Sequence, residues 1–281
     1  MMIFIVSLLF LLNTLFGNLS ETDFLHSSPS LSRRSVAEAI NVRNRLSIKV
    51  TKPFPRTFEN WDGHFSAQSF HTPEDKKELR NIQKSLQTAF FTLPSSLTEK
   101  LTSLEVRNQN HVSRGMSNGE KIIINTGFIK NNDELTSVFV HELGHTMDLE
   151  ELHSINGGAS EFRDNDKIIF KGDPSVYFYR ISWKNATTKK SSIRISDFVS
   201  GYAATNPFED FAESFLMYRL HGEIFRAQAQ KSDILKQKYD FLKNNVFDGK
   251  EFQFGKSAPE IVLDGSLLWD ATLLPLSNSI K

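Results

Sequence analysis

The sequence contains no cysteine, and this absence restricts the chemistry that the protein can use. Without thiols the chain can form no disulfide, no thiolate metal site and no cysteine nucleophile. Any metal ion must therefore be held by the side chains of His, Asp or Glu.

The sequence also lacks a net charge, because 33 basic residues balance 33 acidic ones. A balanced chain gives no electrostatic reason to expect nucleic acid or an anionic membrane as its main partner. We find no internal repeat. Of the 281 residues, 39% are hydrophobic, and this is enough apolar material for one sizeable core.

No apolar run is long enough for a comfortable membrane span. The longest run covers residues 2–16, whereas a spanning helix needs roughly 20 residues. The run fits the core of a signal peptide, and we predict one over residues 1–20. The alternative is an uncleaved anchor, which would give the protein its only membrane contact. In both cases we expect the remaining chain outside the cytoplasm, either secreted or anchored and facing outside.

The rest of the chain divides into three predicted parts. Residues 21–58 are polar and basic and read as a linker or a pro-segment. Residues 59–247 carry the hydrophobic periodicity of a folded domain. Residues 248–281 lose that pattern, and we interpret them as a tail or a small cap.

Periodicity and capping signals predict the main elements of the folded domain. Helices are predicted from Pro73 behind an N-cap at Thr72, over residues 131–150 behind Asn131, from Pro207 to Leu220 with Gly222 as terminator, and over ILKQKYDFLKNN. LTSLEVR and EKIIINTGF read as strands, with a turn at SNG before the second. DPSVYFYRISW reads as a strand or a substrate-facing loop.

The stretch SVFVHELGHTMDLEE carries the strongest chemical signal. His141 and His145 stand four residues apart, so on a helix both can aim a ring nitrogen at one point. Zinc prefers such nitrogen ligands, and it lowers the pKa of water toward about 7. Glu142 lies beside the pair, where it could accept the proton of that water. The alternative is a surface helix with two titrating histidines.

Gly144, inside the same stretch, is a costly choice in the middle of a helix, by about 1 kcal/mol relative to Ala. Its presence predicts that another backbone approaches the helix closely at this point.

The third zinc ligand would decide the class of site. A metzincin needs Gly at position 148 and His at 151, where this chain has Asp148 and Glu151. Better candidates lie in SDFVSGYAATNPFEDFAESFLMY, in which Asn206 can cap a helix with Pro207 just inside it. Glu209 and Glu213 then lie one turn apart on one face. Two like charges at this spacing normally destabilise a helix slightly, and a cation, or a cation together with a hydrogen-bonded His, would reverse that effect. The alternative is that one of the pair, above all Glu213, is merely solvated.

These two blocks together resemble the gluzincin metalloproteases related to the protease domain of anthrax toxin lethal factor and to the Pro-Pro endopeptidases. In that family a Tyr precedes the glutamate ligand by seven residues and a second Glu follows it by four. The resemblance implies that His141, His145 and Glu209 bind Zn²⁺ and that Glu142 is the general base. It implies that Tyr202 donates its hydroxyl to the oxyanion, and that Glu213 orients a histidine ligand.

The resemblance implies a helix-rich α+β zincin-type domain with a small mixed sheet and an active-site helix carrying HExxH. The expected activity is that of a secreted zinc endopeptidase acting on a protein or peptide, with no nucleic-acid partner, as a monomer. The strand KIIINTGF is expected either at the sheet edge, where it would bind substrate, or in the core. The alternative function is a non-catalytic zinc-binding module used for partner binding.

Overall fold

The computed structural model describes residues 65–91, 93, 100–252 and 269–276. The predicted signal peptide, the basic segment 21–58 and most of residues 248–281 lie outside the described residues. The described part combines six α-helices with two small sheets. The predicted α+β class is therefore confirmed. Among the described residues, none of the helices has the length and apolarity needed to cross a membrane.

The larger sheet has four short strands. They are β1 (Phe65–Gln68), β2 (Ser103–Arg107), β3 (Gly115–Ser117) and β4 (Lys121–Asn125). The spatial order is β1-β2-β4-β3, with β3 antiparallel to β4 and the other pairs parallel. Both predicted strands are present as β2 and β4. The predicted turn joins β3 to β4, and Gly119 adopts the φ of +94° that this turn requires.

The position of β4 excludes one of the two expectations for KIIINTGF. β4 pairs with β2 on one side and with β3 on the other, so it is an interior strand rather than the edge. Ile122 and Ile124 are fully buried on its core face. The end of the sheet next to β4 is formed by β3, whose three residues carry no hydrophobic alternation and were not predicted as a strand.

The helices are α1 (Pro73–Phe91), α2 (Asn132–Thr146), α3 (Ser175–Ser182), α4 (Pro207–Leu220), α5 (Gly222–Ala229) and α6 (Asp233–Asn245). The predicted caps are confirmed: Thr72 Oγ1 accepts from the Asp75 N–H at 3.1 Å, and Asn131 Oδ1 accepts from the Glu134 N–H at 2.9 Å. The prediction that Gly222 ends a helix was wrong. α4 ends at Leu220, and Gly222 begins α5.

The prediction of a strand or loop for DPSVYFYRISW was also wrong, because this stretch contains α3. Its β-branched and aromatic residues favour strand locally, but burial overrides that weak preference. Phe178 packs edge-to-face on Phe211 of α4 with ring centroids 5.0 Å apart. Tyr179 donates its hydroxyl to the buried Asp148 carboxylate at 2.6 Å. The hairpin of β5 (Ala159–Asp164) and β6 (Lys167–Phe170) precedes α3 and forms the second sheet.

The core of the domain is the packing of α2 against α4. A Cβ atom on Gly144 would lie 2.9 Å from the Ala212 Cα, so the two backbones approach as closely as a glycine allows. The close approach predicted from Gly144 is thus confirmed. α2 is buried on almost all sides, and α4 likewise.

A buried ion pair fixes α4 from its other side. Lys238 of α6 donates to the Asp210 carboxylate at 2.9 Å and to the Asp197 carbonyl at 3.0 Å. Trp183 Nε1 donates to the second oxygen of Asp210 at 3.0 Å. These donors offset the desolvation cost of the buried carboxylate, and removal of any one partner would leave an uncompensated buried charge and strongly destabilise the protein. The residue that precedes Asp210, Glu209, is therefore carried on a firmly held turn.

We predict that Gly144→Ala destabilises the protein by up to about 2 kcal/mol despite the better helix propensity of Ala. The gain of about 1 kcal/mol in propensity is outweighed by the overpacking of a Cβ against backbone, which costs about 1–3 kcal/mol. Urea denaturation measures the change. The matched control is Ser137→Ala, a small, fully buried residue of the same helix whose hydroxyl has no hydrogen-bond partner among the described residues. Equal stability of Gly144→Ala and wild type would contradict the close packing.

Candidate metal centre

α2 presents its two histidines one turn apart on the side that faces α4. His141 and His145 have ring centroids 5.0 Å apart with an interplanar angle of 79°. Asn131 fixes the start of the helix through its cap. The two rings therefore lie on a helix whose start and packing are both fixed.

α4 brings the carboxylates to these rings. Asn206 Oδ1 accepts from the Phe208 and Glu209 N–H groups at 3.0 and 2.9 Å, and Pro207 occupies the first turn, as predicted. The capped turn directs Glu209 toward α2. One turn further on, Glu213 is completely buried against the same helix.

Three donor atoms meet between the helices. Glu209 Oε2 lies 3.1 Å from His141 Nε2 and 3.5 Å from His145 Nε2, and ligand atoms of all three residues lie within 4.8 Å of one another. Ligands bonded tetrahedrally to zinc at 2.0–2.2 Å are separated by about 3.3 Å. The two separations from Glu209 are close to this value, so the three residues could hold such an ion.

Glu213 contacts the other nitrogen of the first histidine. Its Oε1 lies 2.9 Å from His141 Nδ1, so the Nδ1–H donates to the carboxylate. Its Oε2 accepts from the Ser200 hydroxyl at 2.6 Å and from the Ala271 N–H at 2.9 Å. This arrangement fixes the ring of His141 and leaves Nε2 as the atom available to a metal.

The charges of the cluster depend on one another. Burial lowers the pKa of His141, but its hydrogen bonds to Glu209 and Glu213 outweigh burial, and the pKa lies well above the usual value. Burial raises the pKa of Glu209, but the charge of His145 and the hydrogen bond from His141 bring that pKa well below its ordinary range. The cluster thus stabilises a positive charge where the two rings and Glu209 meet.

Glu142 lies beside the cluster and is itself buried. Burial raises the pKa of its carboxyl group, and the charge of His141 opposes this shift. Its side chain packs against β3 at Gly115, where a Cβ atom would lie 2.7 Å from the Glu142 Cγ. A side chain at position 115 would displace the Glu142 carboxylate, which the glycine leaves in its observed position.

Tyr202 borders the cluster from the loop before α4. Its ring centroid is 5.9 Å from that of His141. Burial raises the pKa of its hydroxyl, and the negative charge of Glu209 raises it further, so the hydroxyl keeps its proton at neutral pH. The Tyr202 N–H donates to the carbonyl of Trp269 at 2.6 Å.

Asp148 and Glu151, which occupy the two metzincin positions, do not belong to the cluster of His141, His145 and Glu209. α2 continues into a wider π-helical turn, Met147–Glu151. Within it Asp148 is buried against the Tyr179 hydroxyl, and burial raises its pKa to about 7. Glu151 lies 3.6 Å from Lys100 in an ion pair. Neither residue belongs to the group of three possible metal ligands found among the described residues.

Three residues at the site escaped the sequence analysis, namely Gly115, Ser200 and Ala271. Gly115 lies in the strand that was not predicted. Ser200 precedes Tyr202 by two residues, within the block that suggested the site, but a single serine carries no pattern. Ala271 contributes only its backbone N–H, and no sequence signal could have revealed it.

No protein-family model, curated protein or solved structure matches this chain.

We predict that Glu209→Ala sharply lowers the zinc content of the purified protein, because two histidines alone leave the ion with too few protein ligands. Metal analysis by mass spectrometry after dialysis against limiting zinc measures the stoichiometry. Glu151→Ala is the matched control and should bind zinc as wild type does, because Glu151 is paired with Lys100. An unchanged stoichiometry in Glu209→Ala would assign the third ligand to another residue.

Proposed function

We propose that this protein is a zinc-dependent endopeptidase of the gluzincin type, built on a zincin-type fold and exported from the cytoplasm. The observation that carries the proposal is the convergence of His141, His145 and Glu209 between two tightly packed helices. Glu142 and Tyr202 border the same point, and a binding module would need neither.

The donor set suits catalytic rather than structural zinc. Catalytic sites use three protein ligands and leave a coordination position open, whereas structural sites are closed by four. Here the described residues offer two imidazoles and one carboxylate. When bound, zinc supplies Lewis-acid chemistry: it polarises a carbonyl group and lowers the pKa of water toward about 7.

Glu142 is the general base in this proposal. It takes the proton from the attacking water and later passes it to the amine that leaves when the peptide C–N bond breaks. A base works best when its pKa lies near the working pH, and burial moves the pKa of Glu142 in that direction. The packing of Glu142 against Gly115 restricts the carboxylate to one side of α2.

Tyr202 is the oxyanion donor. The attack of water places a negative charge on the carbonyl oxygen, and a donor held ready for that charge stabilises the transition state. Burial and the neighbouring Glu209 keep the Tyr202 hydroxyl protonated, so it can donate a hydrogen bond at neutral pH.

β3 is the best candidate for holding the substrate. It is one of the two end strands of the sheet, and unlike β1, the other end strand, it lies against Glu142. Its Gly115 contacts Glu142, so a peptide paired with the outer edge of β3 would lie beside the base. Main-chain hydrogen bonds to an edge strand bind an extended peptide with little dependence on its sequence.

We predict that Glu142→Gln keeps zinc and abolishes hydrolysis, because the amide preserves the shape of the side chain but cannot accept the proton. Cleavage of casein or of a mixed peptide library is measured together with the zinc content of the same sample. Glu151→Gln serves as the matched control, and a chelator should silence the wild type. Zinc binding without any wild-type cleavage would favour a binding module, and full activity of Glu142→Gln would refute the mechanism.

We predict that Tyr202→Phe lowers kcat by about 10²–10³-fold, as the loss of one oxyanion donor does elsewhere, at a cost of about 2.7–4 kcal/mol in the barrier. KM and zinc content should change little, since the ring stays in place. Tyr177→Phe is the control, because that tyrosine is largely exposed on α3. Wild-type turnover in Tyr202→Phe would remove the hydroxyl from the chemistry.

A further inference from the structure

The segment of residues 269–276 returns to the metal centre from the far end of the described chain. It contains a short 3-10 turn, Ala271–Leu273, capped by the Asp270 side chain, and Ala271 is completely buried. From these contacts we infer that the Ala271 N–H is a positioning group of the metal site, which sets the orientation of His141 through Glu213. The inference rests on the proposed function and concerns how that same site is held ready for its metal.

The Glu213 carboxylate has a protein donor for each of its two oxygens. This side chain is fully buried, so each of its oxygens must be satisfied by the protein. Oε1 receives the His141 Nδ1–H, and Oε2 receives the Ser200 hydroxyl and the Ala271 N–H. One of the three donors thus comes from a part of the chain 58 residues beyond Glu213.

Arg114 holds the 269–276 segment in place. Arg114 binds the carboxylates of both Asp270 and Glu134, and it donates to the Thr272 hydroxyl at 2.9 Å. Glu134 lies in the first turn of α2. Arg114 directly precedes Gly115, the residue against which Glu142 packs. One guanidinium therefore ties the 269–276 segment to the helix of the histidines and to the strand beside the base.

The 269–276 segment also contacts the loop that carries Tyr202. The carbonyl of Trp269 accepts the Tyr202 N–H at 2.6 Å. The indole ring lies so close to Gly201 that a Cβ there would be 2.6 Å from Trp269 Cε3. The segment thus contacts the loop of the oxyanion donor as well as Glu213, which is more than a covering role would require.

Groups that hydrogen-bond to metal ligands commonly change metal affinity by 10–100-fold when they are removed. Ala271 is one hydrogen bond further from the metal ligand His141 than Glu213 is. We therefore expect the loss of its N–H to cost about tenfold in zinc affinity, at the lower end of that range.

Ala271→Pro tests the inference in the full chain. Proline removes this N–H, and its ring replaces the donor with a methylene that faces Glu213. The backbone suits it, because Ala271 opens a 3-10 turn and Asp270 is extended, with φ −142° and ψ 116°. Ala271→Gly, which keeps the N–H, is the matched control. Zinc affinity is measured by chelator competition, and unfolding of the metal-free protein is followed in parallel.

We expect about tenfold weaker zinc binding in Ala271→Pro and less than about threefold in Ala271→Gly. In the Glu213→Ala background the effect of Ala271→Pro should fall below about twofold, because the carboxylate through which the N–H acts has been removed. Wild-type zinc affinity in Ala271→Pro would overturn the inference. So would a full tenfold loss that persists in Glu213→Ala, or a lower unfolding midpoint with unchanged affinity, since both indicate a structural role alone.

If Ala271→Pro does not fold, Asp270→Asn decides the question. It weakens the ion pair with Arg114 while keeping a side chain that can cap the turn, and it should lower zinc affinity by about threefold or more. An unchanged affinity would overturn the inference. A different result would refute the proposed function itself: zinc affinity that is the same in His141→Ala as in the wild type.

Discussion

The close packing of α2 against α4 is the constraint on which the rest of the site depends. Because Gly144 has no side chain, the helices approach until the residues on their facing turns can share one ion. His141 and His145 belong to one helix and Glu209 to the other, so any increase in the helix separation would lengthen the donor distances together. Gly144 is unfavourable for local helix propensity, but it allows the close approach that brings His141, His145 and Glu209 near enough to share one metal ion.

Burying this many charged groups would be unfavourable if they were unpaired. The structure pairs them in layers: Glu209 with the two rings, Glu213 with His141, and Asp210 with Lys238 on the opposite face of α4. Each carboxylate has donors of its own. The hydrogen bond from His141 Nδ1 to Glu213 therefore fixes the orientation of the His141 ring. The ring would need little reorganisation to bind a metal ion through Nε2.

Much of this arrangement could be predicted because it depends on local spacing. The four-residue intervals of the histidines and of Glu209 and Glu213 determine which side chains share a helix face, and Asn131 and Asn206 carry recognisable caps. Contacts set by tertiary structure could not be predicted. β3 is too short for a pattern, α3 is helical against its local preference because it is buried, and Ala271 contributes a backbone N–H that no residue type specifies.

His141, His145 and Glu209 are proposed to hold one zinc ion between α2 and α4. An anomalous difference map recorded at the zinc edge from zinc-loaded crystals tests it most directly. We expect a single strong peak about 2.0–2.2 Å from His141 Nε2, His145 Nε2 and a carboxylate oxygen of Glu209. A loaded crystal with no peak between α2 and α4, or with the ion held by other side chains, would contradict it.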